Sequence, residues 1–435
     1  MKGIQSVVMP SRDDAMAVSL LGLGLYLPSS TGGVFSTPLV WLSFILLLGI
    51  LSWTVWDHGT RPRSVSGISL PILIVLAGST FFLTATSVIN WGVFGIFVLL
   101  ALMFSLNLSA MRPGRAFHAA FVAANIVNIV CGAAIIAGSE SMGRILITYY
   151  SVFYPELVPL MIQFHKPVLM FGTHSLAAFF FYLFFWINWE TYRERKDRLA
   201  LLFAVGNLIL LLAETSFTAV AFSALAMFQL AVWLWSNNRK VLVMSSLTLL
   251  LAGTLGWAIF TKLVPDWEDL GAIAMVLPNS DVEGVGARYG PNGALQPAIN
   301  YLIDHPFSPT GFSTPLKLAE GLTPLTDSGP IEYVLRGSLP ALVLIYFGLF
   351  RFLRFNLILR RHALTLFFVI VIFELGFSWL KYIRTLYLLP MIVIYLNAIT
   401  LGKSVPSLSD TEPTSGTVAR VSRRLDSGLA GEMSV

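Results

Sequence analysis

An all-α polytopic membrane protein, a bundle of about twelve transmembrane helices with one large late outer loop, is the fold class that three features of this sequence predict. The first is composition. Of the 435 residues, 56% are hydrophobic and only 12% are charged, whereas a soluble domain carries about 25% charged residues. Mean hydropathy is +0.76. The second is arrangement: the apolar residues come in continuous runs of about 20, the length that spans the hydrocarbon core of a bilayer. Lipid offers the backbone no hydrogen bonds, so each run must be a helix or part of a closed barrel. Barrel strands alternate apolar and polar residues, and these runs do not, so helices are expected. The third is the placement of the cations, which sit between the runs rather than within them.

Twelve runs can be marked: 15–34, 37–56, 68–87, 90–108, 117–137, 169–189, 199–214, 216–236, 241–262, 331–350, 362–379 and 382–400. The two short ones across 199–236 could equally be one broken hairpin. With the N-terminus in the cytoplasm, the connections alternate sides. Of the 28 Lys and Arg residues, 20 then fall on the cytoplasmic side, among them Arg193, Arg195, Lys196, Arg198, Arg360 and Arg361. The remaining 8, Arg144, Lys166, Lys262, Arg288, Lys317, Arg336, Lys381 and Arg384, fall outside. That asymmetry obeys the positive-inside rule and places both termini in the cytoplasm. Residues 1–402 form the predicted bundle, including outer loops at 138–168 and 263–330. The tail 403–435 is rich in Ser, Thr, Gly and charge, and disorder is expected there. No cleavable signal is evident, and Asp13 and Asp14 ahead of the first run mark a retained helix. Because the non-membrane mass lies outside, the work is expected there too.

The net charge of +5 is explained by topology and is no sign of a nucleic-acid partner. Cys131 is the single cysteine. An internal disulfide and a cysteine metal cluster are thereby excluded, and the residue reads as a small buried hydrophobe. No P-loop, Gly-rich dinucleotide turn or HExxH is present. No metal site and no cofactor are expected.

Chemistry is left to charged residues near the outer face, in three groups. The first begins with Asp281-Val-Glu-Gly-Val-Gly-Ala-Arg288-Tyr289. Arg288, planar and always charged, suits a phosphate; it could equally pair with Asp281 or Glu283. An amphipathic stretch, Gly293 to Ile303, follows, with Leu295, Ala298, Ile299 and Leu302 at helical spacing. Then come Asp304-His305-Pro306-Phe307 and Gly311. The proline makes His305 a helix terminus, and the imidazole is also a candidate base. The second group is Thr326-Asp327-Ser328-Gly329-Pro330-Ile331-Glu332, leading into the next helix. Asp327 and Ser328 can cap the next helix, with Pro330 in its first turn; alternatively, Asp327 is a general base at the membrane mouth. Arg336 lies within two turns of that start and needs a polar cavity or partner. Lys381 and Arg384, between the last two runs, face a polyanion or snorkel to the headgroups. The third group is Phe164-His165-Lys166-Pro167 with Gly172-Thr-His174-Ser175. An ionisable group such as His174 just inside a membrane helix is a functional candidate by default, against a simple hydrogen bond to a neighbour. Glu214, at an outer turn, could hold a cation. Glu374 is the main charge expected at mid-membrane depth.

The stretch Arg288 to Gly311, an Arg followed by an amphipathic helix, "DHPF" and a Gly, resembles the O-antigen polymerase and ligase superfamily. "TDSGPIEYVLRG", ending in Gly337, looks like that family's next landmark. "FGTHSLAAFFFYLFF" and "ETSFTAVAFSALA" resemble its middle helices. The resemblance covers about 165 to 350. Ligases of the family place a catalytic His about ten residues before that Gly, where Thr326 or Asp327 stands here, which points to the polymerases. The resemblance implies a lipid-linked-donor glycosyltransferase fold, metal-independent and inverting, in the bacterial inner membrane. It implies polymerisation of polyprenyl-diphosphate-linked oligosaccharide repeats into exopolysaccharide or O-antigen at the periplasmic face, with a flippase and a chain-length co-polymerase as partners.

That chemistry assigns roles. Arg288, with Arg336 and Arg384 behind it, would stabilise the leaving diphosphate. Asp327, or His305 after it, would be the base. Lys381, Lys166, His174 and Tyr289 complete the expected substrate contacts. Tyr149, Tyr150, Tyr154, Trp267, Tyr289 and Tyr301 could stack on sugars. Two rivals remain: a ligase that delivers finished glycan to another acceptor, and a transporter or flippase with no catalysis.

Overall fold

The computed structural model describes residues 11–26, 38–59, 65–83, 88–89, 91–150, 157–214, 216–237, 295–304, 310–314 and 328–401. They are mostly helical. In chain order the helices are α1 (Arg12–Tyr26), α2 (Pro38–His58), α3 (Leu70–Leu83, entered by a π-turn at Val65–Ser69), α4 (Trp91–Met103), α5 (Arg115–Ile136), α6 (Glu140–Tyr150), α7 (Leu157–Gln163), α8 (His174–Arg195), α9 (Arg198–Ala213), α10 (Phe217–Asn237), α11 (Gln296–Asp304), α12 (Gly329–Asn356), α13 (Arg360–Gly376) and α14 (Ile383–Thr400). A two-residue antiparallel pair joins Val88–Ile89 to Ser313–Thr314.

Helices overlie eleven of the twelve apolar runs. The run at 241–262 lies outside the described residues, as do loop 263–294 and the tail. Among the described residues three helices, α5, α12 and α14, are long and apolar enough to cross a membrane; α4, α9 and parts of α2, α3 and α10 are shorter apolar helices. The outer segment 138–168 is not plain loop, since it contains α6 and α7. Its amphipathic spacing, Leu146 buried and Ile145 exposed, explains why.

α8 is the centre. Every residue from Ser175 to Thr191 is buried, so this helix is enclosed by protein on all sides, with Asn188 and Glu190 as its buried polar groups. It packs on α9, α10 and α14, while α1 packs on α14 and α5, and α12 on α3 and α13. Polar staples join these helices. Asn125 Oδ1 accepts from Asn188 Nδ2 at 2.7 Å and from Asn207 Nδ2 at 3.0 Å, tying α5, α8 and α9 together. Amide pairs of this kind hold helices together where lipid offers no competing partner. Asp14, expected only to mark the first helix, caps α5: its Oδ1 accepts from Gly114 N at 2.6 Å and Phe117 N at 3.1 Å. A side chain at Gly114 would collide with that carboxylate. Cys131 is half-buried rather than buried, because its face of α5 is only partly covered.

Antiparallel neighbours gather the helix ends into two sets. At one end α1, α2, α5, α8, α9, α12, α13 and α14 meet through Asp13–His58, Asp14–Gly114, Asn356–Leu108, Arg195–Ala398 and Asn397–Ile358 contacts. This end holds Arg193, Arg195, Lys196, Arg198, Arg360 and Arg361. The other end holds the start of α12 and the α13–α14 connection.

Candidate functional site

The site grows from a broken helix. α12 departs from helical geometry at Gly337 (φ −138°, ψ 18°) and Ser338 (φ 63°, ψ −175°). Ser338 occupies a region that is essentially glycine's, and Pro340 follows it two residues on, where it cannot donate a helical hydrogen bond. The break frees the Leu335 carbonyl. Thr310 fills the gap, donating to that oxygen from its N–H at 2.6 Å and its hydroxyl at 2.8 Å. α11 lies against the same half-helix through Ala298 and Leu335, so the amphipathic positions marked in the sequence are its packing face.

Charge collects around that half-helix. Arg336 donates from Nε to Glu332 Oε1 at 2.9 Å and from a terminal nitrogen to the Gly311 carbonyl at 3.1 Å. Its guanidinium sits 5.4 Å from the Phe312 ring centroid, and that ring packs on Phe94 and Phe97. Lys381 Nζ approaches the other oxygen of Glu332 at 3.6 Å. Glu332 therefore couples α12 to the α13–α14 connection. Arg384 donates to the Met170 carbonyl at 2.6 Å, anchoring the turn that leads into α8. Three of the expected substrate contacts, Arg336, Lys381 and Arg384, thus lie on elements that this one end brings together.

Glu374, the charge expected at mid-membrane depth, holds the turn that follows α13. It is in the last turn of α13, where it accepts from Leu380 N at 2.6 Å and from the Tyr333 hydroxyl. The reason is local: a carboxylate there staples the turn 377–382 and reaches the start of α12. A side chain at Gly329 would strike the Glu374 carboxylate, so only glycine admits it. Beside it, the Trp379 indole N–H is buried with no hydrogen-bond partner among the described residues. Ser328 stands at the N-cap of α12 with Pro330 in the first turn, but its side chain makes no capping bond.

His174 begins α8, half-buried, behind Thr173, whose hydroxyl caps the helix by accepting from Leu176 N at 3.3 Å. Lys166 is half-buried at the end of the α7 turn. It acts electrostatically on Glu214, which is fully buried at the end of α9 with neither oxygen hydrogen-bonded among the described residues. Tyr150 donates to the Tyr26 carbonyl at 3.0 Å, a packing role. Arg288, Tyr289, His305 and Asp327 lie outside the described residues; Asp327 is two positions before Gly329 in the chain.

Sequence reasoning gave no role to Glu332, although it ended the second group, nor to Tyr333 or Phe312. For Glu332 the signal was present, an acid four residues before Arg336 on one helix face. For Tyr333 and Phe312 none was, since their partners are distant in sequence. No family model, curated protein or solved structure matches this chain.

Proposed function

We propose that this chain is a membrane polysaccharide polymerase that extends polyprenyl-diphosphate-linked oligosaccharide at the end carrying the broken helix. The observation that carries the reading is that three of the cations expected to meet a polyanion, Arg336, Lys381 and Arg384, lie on elements gathered at one end. Arg336 and Lys381 share the Glu332 carboxylate, and Arg384 is held on the Met170 carbonyl of the turn beside them. A leaving diphosphate needs cations in a water-poor site. Arg288, on the loop that precedes α11, would add the direct phosphate contact. Asp327, next to the start of α12 in sequence, would take the proton from the attacking sugar hydroxyl. The fuller topology of twelve spans, both termini cytoplasmic and this end periplasmic in the bacterial inner membrane, belongs to the same proposal and rests on the Lys and Arg distribution.

One observation favours a different reading. Discontinuous helices and buried acids such as Glu214 are frequent in secondary transporters. A deletion strain separates the two, complemented with wild type, Arg288→Ala, Asp327→Ala and Arg336→Gln. The polymerase reading expects single repeat units on the outer leaflet, no long polymer, and no rescue by the three variants. Full-length polymer left on its carrier would mean a ligase. Repeat units confined to the inner leaflet would mean a transporter.

A further inference from the structure

Two helix ends meet at the arginine-rich end through two carboxylates and an imidazole. Asp13 stands in the first turn of α1, and Asp57 and His58 close the last turn of α2. His58 Nε2 lies 2.9 Å from Asp13 Oδ1 and 3.6 Å from Asp57 Oδ2. One donor atom from each of the three side chains lies within 4.8 Å of the other two, so the three face a common point. The side chains are partly buried, sheltered yet within reach of solvent.

Each carboxylate has its second oxygen engaged from outside the group. Asp13 Oδ2 accepts from the Arg112 N–H at 2.6 Å, and Asp57 Oδ1 lies 3.6 Å from the Arg12 guanidinium. Outer donors of this kind orient the ligating carboxylates of metal sites. The oxygens left over are the two that turn to His58. One N–H cannot serve both, because an imidazole nitrogen carries a single proton. An ion at the same point satisfies all three atoms together. Donor atoms held about 2.0–2.2 Å from one ion, at tetrahedral or octahedral angles, stand about 3.0–3.4 Å apart. The two separations from Nε2 bracket that spacing. The position of the imidazole proton in the free protein does not matter, since a metal takes Nε2 as a lone pair and any proton there is released.

The local charge also favours a cation. Among the described residues, Asp13 and Asp57 meet one guanidinium, that of Arg12, whose side chain is 76% exposed. The Arg112 guanidinium turns instead to the carbonyls of Ser109 and Met111.

We propose that Asp13, Asp57 and His58 bind one divalent transition-metal ion of the zinc class. The ion clamps the start of α1 to the end of α2 and, through the Arg112 N–H on Asp13, to the connection that precedes α5. An imidazole beside two carboxylates suits zinc or cobalt better than magnesium or calcium, which take oxygen ligands. The site lies at the end away from the broken helix, so the ion has no part in the proposed transfer. It stands whether or not the chain is a polymerase.

The test is a Co2+ titration of the full chain in detergent, free of any histidine tag and stripped of metal, followed by visible absorption. One ion per chain should bind. Zn2+ should displace it, and an equal concentration of Mg2+ should not. His58→Gln and Asp57→Asn should each weaken Co2+ at least about tenfold, since loss of even an outer partner of a metal ligand costs about 10–100-fold. Glu194→Gln, which removes an exposed carboxylate at the same end, should leave the affinity unchanged. Zn2+ should raise the thermal midpoint of the wild type and not that of His58→Gln. Absence of binding, or binding undiminished in both variants, would overturn the proposal, the second outcome marking an adventitious surface site. So would displacement by Mg2+ as readily as by Zn2+, which would mean carboxylates acting without the imidazole. Should His58→Gln fail to fold, Asp57→Asn, at an exposed position, carries the comparison alone.

Discussion

The two ends of the bundle hold buried carboxylates in opposite ways. At the arginine-rich end, Glu190 is held by side chains on regular helices: Arg193 one turn ahead on α8, and Arg361 and His362 from α13. At the broken-helix end, the charges depend on irregular backbone. Arg336 reaches the Gly311 carbonyl, Arg384 the Met170 carbonyl, Glu374 the Leu380 N–H, and Thr310 the Leu335 carbonyl released by the kink. Regular helices satisfy their own backbone, so only side chains are left to form ion networks. A helix that is interrupted offers backbone groups as well, and binds loops with them. The broken-helix end fixes its cations through loop and turn backbone as well as through side chains.

The strongest way to break this contrast is to remove Glu332. It is 1% exposed and bridges Arg336 to Lys381. Glu332→Ala leaves two cations without their shared carboxylate, and removal of one member of a buried pair costs about 3–5 kcal/mol. The thermal midpoint in detergent should fall steeply. The double variant Glu332→Ala, Arg336→Met should recover part of the loss. Failure of the second change to recover anything would mean that Lys381, not Arg336, is the partner that matters.

A smaller effect is expected at Gly329. Alanine there meets the Glu374 carboxylate, and forcing a methyl group into filled space costs about 1–3 kcal/mol. Gly329→Ala should lower stability and disrupt the turn that Glu374 staples, whereas Gly49→Ala, whose added methyl meets nothing, should not. Equal behaviour of the two would mean that the contact between the start of α12 and Glu374 is not tight.

The kink offers a gain instead of a loss. Ser338 holds φ at 63°, a conformation that costs a non-glycine residue about 1–3 kcal/mol. Ser338→Gly should raise the thermal midpoint by part of that amount, and Ser338→Val should lower it. If glycine destabilises, the side chain of Ser338 contributes more than the strain it carries.

The ends differ in how far they could be read from the sequence. Helix positions were legible, because a run of apolar residues of membrane length has few alternatives. That Arg193, Arg195, Lys196, Arg198, Arg360 and Arg361 share one end was legible from their places between the apolar runs. Glu332 with Arg336 was legible in principle from a spacing of four. Gly337 and Pro340 signal a weak point in α12, but nothing local indicates that Ser338 takes the left-handed conformation or that Thr310 fills the gap. Arg384 with Met170 is separated by 214 positions, and Glu190 with His362 by 172. Such pairings are set by which helices pack together, which hydrophobic patterning does not encode. The outer-face search for chemistry also passed over the meeting of Asp13 with His58, 45 positions apart, at the arginine-rich end, since the cations there were already explained by topology.

The smallest effect is expected where that explanation was sufficient. The Arg361 side chain is 48% exposed, with Glu194 as its principal partner and Glu190 at 3.6 Å. Exposed ion pairs are worth about 0–1 kcal/mol, so Arg361→Gln should scarcely move the thermal midpoint. Glu332→Gln, an equally conservative change at the other end, should move it clearly, because its partners are desolvated. The comparison is sharpest at high salt. Screening weakens exposed pairs and leaves buried ones largely intact, so raising salt should erase the Arg361→Gln effect and preserve the Glu332→Gln effect. If both respond to salt alike, the broken-helix end is more open to water than the burial of Glu332 implies, and its cations would hold a diphosphate less firmly than the proposed reaction requires.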